Sequence, residues 1–571
     1  MPVPRDVYLL GVCCNIHESS AALVKDGVLV AAAEEERFTR LKHDHRFPEH
    51  AIAYCLREAG ISMADVGYAG FYWQPWKGLT KRLWWLLRYF PASLKMFRGG
   101  KQWRGSVGTL AQHLSVPLRL RRLGFRGSFS FVDHHLAHAA SAFLVSPYES
   151  AAVLTFDLCG EDCTTLIARG RGNRLTPIRR FHLPDSLGLF YAALTQFLGY
   201  RVNYDEYKVM GLAPYGAPRF VDTFDRMVRV DEDGWLRNDN SWFAFHLGGE
   251  TCYSPRFVEA FGAPCSGEDV VDRAPYPDIA ASGQDVLQRR VAELAAWARR
   301  ATGEETVCLA GGVALNAVSN GRLRDQRIFS DVWVQPAASD SGTALGVAFH
   351  LWHRRFRQPR RFEMEHAYWG PSYSDEEMRR AAAEAGLRVE RVEQVERAAA
   401  RLLADGAVLG WFQGRMEWGP RALGNRSILA DPRRAEMKDV INCKIKLREP
   451  YRPFAPSVLD DRAAEYFEPA QPSPFMTFVC GVRDDRKAAI PAVTHVDGTA
   501  RIQTVSRAHN PRYWKLLTEF DALTGVPVLL NTSFNRRGEP IVCTPADAVR
   551  CFLGTELDYL VLGEAICSRV R

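Results

Sequence analysis

Two stretches of the chain repeat one local pattern, and that duplication restricts the fold more than any other feature. Residues 7–36 read as three short strands, "VYLLGVCC", "SSAALVKDG" and "VLVAAAEEE", with Asp26-Gly27 supplying a tight hairpin turn. Residues 151–182 repeat the pattern as "AAVLTFDLCGED", "CTTLIARGRGN" and "RLTPIRRFHL". Helical segments follow each unit, so the expectation is a duplicated α/β lobe with a cleft between its halves.

This is the pattern of the actin, hexokinase and Hsp70 class. Two further strand–turn–helix stretches, "TVCLAGGVALNAVSNGRL" and "VWVQPAASDSGTALGVAF", put backbone N–H groups at helix N-termini, an arrangement that suits phosphate. Tight strand–helix packing explains either one taken singly. The basic, proline-containing stretch at 353–365 reads as a solvated linker. It divides a first domain, 1–352, from a second α/β domain, 366–571, which opens with a helix near 374–386 and a strand near 387–392.

Composition narrows the function classes. At 571 residues, 47% hydrophobic and 24% charged, the chain is an ordinary globular one. A net charge of +7 without clustered basic blocks argues against a nucleic-acid partner. No signal peptide and no uncharged apolar run of about 18 residues is visible, so stable membrane insertion is not expected. The 13 cysteines lack CxxC pairs and read as reduced thiols of a cytoplasmic protein.

The run "VDHHLAHAASAF" at 132–143 raises the question of a metal. On a helix His134 and His138 lie on one face, while His135 points elsewhere. The glutamate of an HExxH motif is absent, which counts against zinc-protease chemistry. Asp157 at a strand end and Asp340 in the turn "AASDSG" could complete a two-His, two-Asp set suited to iron(II), zinc or manganese. Bland packing of the imidazoles and helix capping by Asp340 are the competing readings.

The motifs "HHLAHAASAF", "YKVMGLAPYG", "LAGGVALN" and "ASDSG" resemble those of the antibiotic and nodulation-factor O-carbamoyltransferases, the tobramycin carbamoyltransferase type. So do "GRMEWGPRALGNRSILADPR", "REPYRPFAPSVL", "RIQTVS" and "LLNTSFNRRGEPIV" in the second domain. The resemblance runs in order from about residue 7 to the C-terminus. It implies an actin-like first lobe similar to tRNA threonylcarbamoyl-transfer proteins and a YrdC-like second lobe. Carbamoyl phosphate and ATP, with magnesium, would form carbamoyladenylate in the second lobe. The first lobe would pass the carbamoyl group to a hydroxyl of a small natural product, releasing AMP.

Residue roles implied by the resemblance follow. His134, His138, Asp157 and Asp340 would hold one divalent metal, iron(II) first among the choices. His17, in "CCNIHESS", would be the general base. Lys208, Gly211, Gly312 and Asn316 would lie at the nucleotide. Arg421, Arg452 and Arg501 would bind carbamoyl phosphate or the adenylate, with Lys444, Asn531, Thr532 and Ser533 as weaker assignments. Guanidinium forks match phosphate oxygens, and Arg415 and Arg426 add to the arginine count of this domain.

Residues 71–105, rich in tryptophan, lysine and arginine, match no motif of that family. Trp84 and Trp85 are candidates for contact with an apolar acceptor. Core packing and a membrane-surface helix are the other readings of that stretch. A homodimer is compatible with the sequence. Two other function classes compete: an actin-fold metabolite kinase, which needs no second arginine-rich domain, and a tRNA-modifying protein, which needs a basic face.

Overall fold

The computed structural model describes residues 6–78, 84, 87–88, 90, 107–245, 251–266, 270–469 and 471–570. The chain forms two compact units. The first comprises residues 1–35 and 43–364, the second residues 36–42 and 365–571.

The first unit carries strands β1 (Tyr8–Cys13), β2 (Ser20–Lys25), β3 (Val28–Glu34), β4 (Val66–Phe71) and β5 (Ser128–Phe131), then β6 (Ser150–Phe156), β7 (Cys163–Arg171) and β8 (Arg174–His182). A small hairpin, β9 (Val228–Val230) and β10 (Leu236–Asn238), precedes β11 (Thr306–Ala310) and β12 (Asp331–Val334). One sheet has the order β3-β2-β1-β4-β5 and the other β8-β7-β6-β11-β12. In both, the first three strands pair antiparallel and the last two add in parallel. The duplicated actin-like architecture expected from the two hairpins is therefore present. Asp26 and Gly27 both take the left-handed backbone that the β2–β3 turn requires.

The last strand of each sheet leads to a helix, His134–Phe143 in one half and Thr343–Phe356 in the other. These two helices pack closely because Gly346 has no side chain: a Cβ there would sit 1.8 Å from the Ala137 carbonyl oxygen. Gly346→Ala must therefore push apart the helix that bears the histidines. Overpacking of a close-packed interior costs about 1–3 kcal/mol, and backbone contact belongs at the top of that range. Thermal melts should show a clear loss of stability, and an unchanged midpoint would refute this packing account.

The stretch assigned to a solvated linker is held down. Met364 donates its backbone N–H to Val145 at 2.8 Å, Asn173 donates to the Gln358 carbonyl at 2.7 Å, and Arg360 donates to the carbonyls of Ser146 and Tyr148. The arginine that looked like surface charge caps open carbonyls instead.

The second unit contains β13 (Arg388–Arg391), β14 (Leu409–Phe412), β15 (Arg426–Ala430), β16 (Ala455–Leu459), β17 (Phe467–Glu468), β18 (Val479–Val482), β19 (Thr499–Arg501), β20 (Gln503–Val505), β21 (Val528–Ser533), β22 (Tyr559–Leu562) and β23 (Ala565–Ser568). Eight of them form a mixed sheet, β13-β23-β22-β14-β15-β21-β16-β20, and β17-β18-β19 form a small antiparallel one. The helix expected near 374–386 spans Asp375–Glu384, started by a Ser374/Glu377 capping box. Trp411, Ile428, Leu529, Phe534 and Leu560 lie in its core.

Residues 36–42 belong to this second unit although the chain on either side of them does not. Arg37 donates to the Gly419 carbonyl at 2.9 Å, and Arg40 donates to the carbonyls of Pro540 and Ile541, both at 2.7 Å. The boundary drawn from sequence did not separate this short piece from its surroundings.

Candidate metal centre and anion pocket

In the first unit, Asp133 caps the helix His134–Phe143 by accepting from the Leu136 N–H at 2.9 Å. The cap fixes the first turn, and the 3.6-residue repeat then places His134 and His138 on one face. Their Nε2 atoms lie 3.1 Å apart. Asp157, immediately after β6, brings Oδ2 to 3.2 Å from both nitrogens. Asp340 brings Oδ1 to 3.7 Å from His134 Nε2 and 3.6 Å from His138 Nε2.

These separations suit an ion. A metal–ligand distance of about 2.1 Å in a tetrahedral site puts ligands about 3.4 Å apart, within the spread found here. Two imidazole nitrogens facing each other also need a cation or a proton between them. Burial works against a charged His138, yet Asp157 and Asp340 outweigh it and raise the imidazole to about 9. The carboxylates thus favour positive charge at this point. Nitrogen and carboxylate ligands without thiolate suit iron(II), zinc or manganese.

His135 is occupied elsewhere: Nδ1 meets Thr155 Oγ1 at 2.6 Å and Nε2 meets the Cys163 carbonyl at 3.0 Å. Asp340 makes no side-chain cap on the helix that follows it. The carboxylate faces the histidines. Gly160 matters for the same geometry, since a Cβ there would lie 2.8 Å from the His134 ring. Sequence reasoning missed Glu161, a buried carboxylate that accepts from the His134 N–H at 3.1 Å and the Gln74 N–H at 2.8 Å.

His17 stacks on His43, with ring centroids 4.7 Å apart and 23° between planes. Tyr204 meets both rings edge-on. Next to it, Glu18 accepts from the Ser341 N–H at 3.0 Å and from the Ser339 hydroxyl. The loop bearing His17 is therefore tied to the turn bearing Asp340. His43, Glu18 and Tyr204 carried no motif that singled them out.

The residues assigned to a nucleotide are spread over several roles. Gly312 is close to the metal cluster, since a Cβ there would be 3.3 Å from Asp157 Oδ1. Lys208 lies 3.5 Å from Asp205, and Gly211 sits in the helix Glu206–Leu212. Asn316 uses its amide to cap the helix Ala317–Asp325 and to pair with Gln284. Trp84 is exposed, and Trp85 lies outside the described residues.

In the second unit the arginines divide into two groups. Arg426 is fully buried, donates to the carbonyls of Gln413, Asn425, Pro371 and Gly414, and covers the Phe412 ring. Arg415 donates to the carbonyls of Trp369 and Gly370. Both are structural clamps. Arg501 is different: burial, then the charges of Arg421, Arg448 and Arg452, hold its guanidinium well below the usual arginine range. Its buried Nε has no hydrogen-bond partner among the described residues. Glu449 lies 3.7 Å from Arg452, one carboxylate beside four guanidinium groups, and guanidinium groups are suited to phosphate.

The lysine of this pocket is Lys446. It is buried and donates to Ser533 and Asn535, and burial followed by the Arg448 charge pulls it well below the lysine range. Lys444, assigned from sequence, is exposed. Ser533 and Thr532 are half-buried at the end of β21. Asn531 is buried, and its Nδ2 is committed to Ser457 and Gln503 across the sheet.

Sequence comparison bears on what these sites do. The carbamoyltransferase N-terminus profile matches residues 8–349, and the carbamoyltransferase C-terminus profile matches residues 400–569. The chain belongs to the carbamoyltransferase family. This carbamoyltransferase is 41% identical to the nodulation protein NolNO of Sinorhizobium fredii over 97% of its own length and 79% of that protein. It is 43% identical to the nodulation protein NolO of Bradyrhizobium diazoefficiens, covering 76% of this chain and 78% of that one. A Synechocystis protein, sll1178, shares 44% identity over 98% of this chain and 97% of its own. Component A of the (R)-2-hydroxyglutaryl-CoA dehydratase of Acidaminococcus fermentans aligns with 61% of this chain and 98% of its own, at 16% identity and a TM-score of 0.34. The carbamoyltransferase has no helix among its described residues long and apolar enough to cross a membrane.

Proposed function

We propose that the carbamoyltransferase is ATP-dependent and works in two stages. In the second unit, carbamoyl phosphate loses its phosphate to water, and the carbamate oxygen attacks the α-phosphorus of ATP. Pyrophosphate leaves and carbamoyladenylate remains. In the first unit, a hydroxyl of a small natural product attacks the carbamoyl carbon and AMP leaves. The acceptor is a hydroxyl-bearing secondary metabolite, and magnesium accompanies ATP.

The arginine pocket carries this reading. Arg421, Arg452 and Arg501 offer charge and donors to two phosphorylated substrates at once, and the buried Lys446 holds Ser533 and Asn535 in place. An adenylating reaction needs that, because the triphosphate and the carbamoyl donor are both dense anions. Arg448 adds a fourth guanidinium near Arg501 and Lys446.

For the transfer step, His134, His138, Asp157 and Asp340 are the residues that would hold a divalent metal. When bound it would supply Lewis-acid polarisation of the carbamoyl or phosphate oxygen. His17 takes the proton of the acceptor hydroxyl at a ring nitrogen. His43 and Tyr204 pack around the His17 ring and limit its rotation. Lys208, Gly211 and Gly312 are the remaining contacts proposed for the nucleotide.

Product analysis tests this reading. With ATP, carbamoyl phosphate and the protein, pyrophosphate and phosphate should accumulate, with pyrophosphate release dependent on carbamoyl phosphate and AMP formed only as an acceptor hydroxyl or water attacks the carbamoyladenylate. A kinase of the same fold would give ADP and ignore carbamoyl phosphate, and that outcome would refute the two-stage scheme.

A further inference from the structure

Between Asp65 and Asp133 the sequence contains no aspartate or glutamate but twelve lysines and arginines. The chain's net charge is only +7, so the rest of it is net acidic. One stretch of the sequence therefore concentrates positive charge that the overall composition hides. The same stretch exposes large apolar side chains. Trp76 is 55% exposed, Trp84 56%, Leu87 70% and Phe90 66%.

The helix Val107–Arg122 shows how the surface is arranged. His113, Val116 and Leu120 are buried, the spacing of a stripe facing inward. Leu114 and Leu118, one turn apart, are 51% and 52% exposed, and Leu123 just beyond the helix is 41% exposed. Arg121, Arg122 and Arg126 are exposed and make no ion pair among the described residues. Water meets leucines flanked by unpaired arginines. Neither the metal cluster nor the arginine pocket uses any of these side chains.

We infer that the outer face of the helix Val107–Arg122, with Leu114, Leu118 and Leu123 beside Arg121, Arg122 and Arg126, docks the carbamoyltransferase on an anionic phospholipid bilayer. Interfacial segments combine tryptophan, phenylalanine and leucine on one side with lysine and arginine that reach the headgroups. Each basic side chain near an anionic surface adds a comparable increment of attraction, and Arg121, Arg122 and Arg126 have no ion pair among the described residues to offset it. Nucleic acid is the other polyanion to consider. Its recognition uses aromatic stacking and arginine contacts, and it gives exposed leucines no partner. A bilayer accommodates both classes of side chain. Attachment of this kind is peripheral, consistent with the lack of a spanning helix among the described residues.

Vesicle flotation of the full-length protein tests the proposal. Vesicles of equal parts phosphatidylcholine and phosphatidylglycerol should carry the protein up the gradient, and pure phosphatidylcholine vesicles should leave it at the bottom. Raising NaCl from about 0.1 M to about 1 M, which shortens the screening length from about 10 Å to about 3 Å, should release it. Arg121→Ser combined with Arg122→Ser should weaken partitioning about thirtyfold. Leu114→Gln combined with Leu118→Gln should weaken it even at low salt. All four substituted side chains are exposed, so melting curves should match wild type and show that loss of binding is not loss of fold. Equal flotation with both lipid compositions, wild-type partitioning by both double variants, or capture by duplex DNA without capture by vesicles would each overturn the proposal.

Discussion

His138→Ala should leave the purified protein with little or no divalent metal and should slow carbamoyl transfer from supplied carbamoyladenylate by about a thousandfold or more. The variant loses one of two nitrogens that approach each other at 3.1 Å, together with one side of the pairing to Asp157. The remaining set, one imidazole and two carboxylates, binds a divalent ion far more weakly. The informative control is His135→Ala. Its imidazole is bonded to Thr155 and Cys163, so that variant should keep its metal while losing stability. Metal content per chain, measured on both proteins, decides the matter without reference to activity. Full occupancy in His138→Ala would mean that the histidine pair is packing and nothing more.

Arg421→Ala should separate the two chemical stages. Carbamoyl-phosphate-dependent release of pyrophosphate from ATP should fall by about a hundredfold to a thousandfold, in line with removal of one charged donor from a preorganised site. Transfer from supplied carbamoyladenylate should stay near wild type, because the residues proposed for that step lie in the first unit. Lys446→Met should behave like Arg421→Ala, whereas Lys444→Ala should behave like wild type because that side chain is exposed. Equal loss of both partial reactions in folded Arg421→Ala would remove the assignment of one stage to each unit.

The contrast between the two lysines shows what a sequence can and cannot specify. Strand–turn–strand repeats are local, so 7–36 and 151–182 were readable as matching halves of a duplicated fold. The His134/His138 pairing was readable for the same reason, since one helical turn fixes it. Lys444 and Lys446 are both in one short run, and helical periodicity alone should sort them. That run, Val440–Lys446, is a π-helix, whose wider turn changes which side chains face inward. Arg426 and Arg415 match the arginine-rich motifs as well as Arg421 does. Only tertiary structure shows that they spend their donors on backbone carbonyls. Glu161 and His43 reach their sites from loops distant in sequence, and no spacing rule connects them to the residues they touch.

Residues 36–42 have a consequence for how the protein is made. Arg37 and Arg40 are separated in sequence from the carbonyls they satisfy by 382 residues at Gly419 and 501 at Ile541. Translation therefore delivers this short piece near the beginning, and its partners close to the end. Residues 36–42 wait for partners that are synthesised only after the rest of the first unit. A gene divided between residues 364 and 365 would encode a C-terminal product with those carbonyls open to water. Such a product would regain its contacts only when the N-terminal product, or a peptide bearing residues 36–42, was supplied beside it.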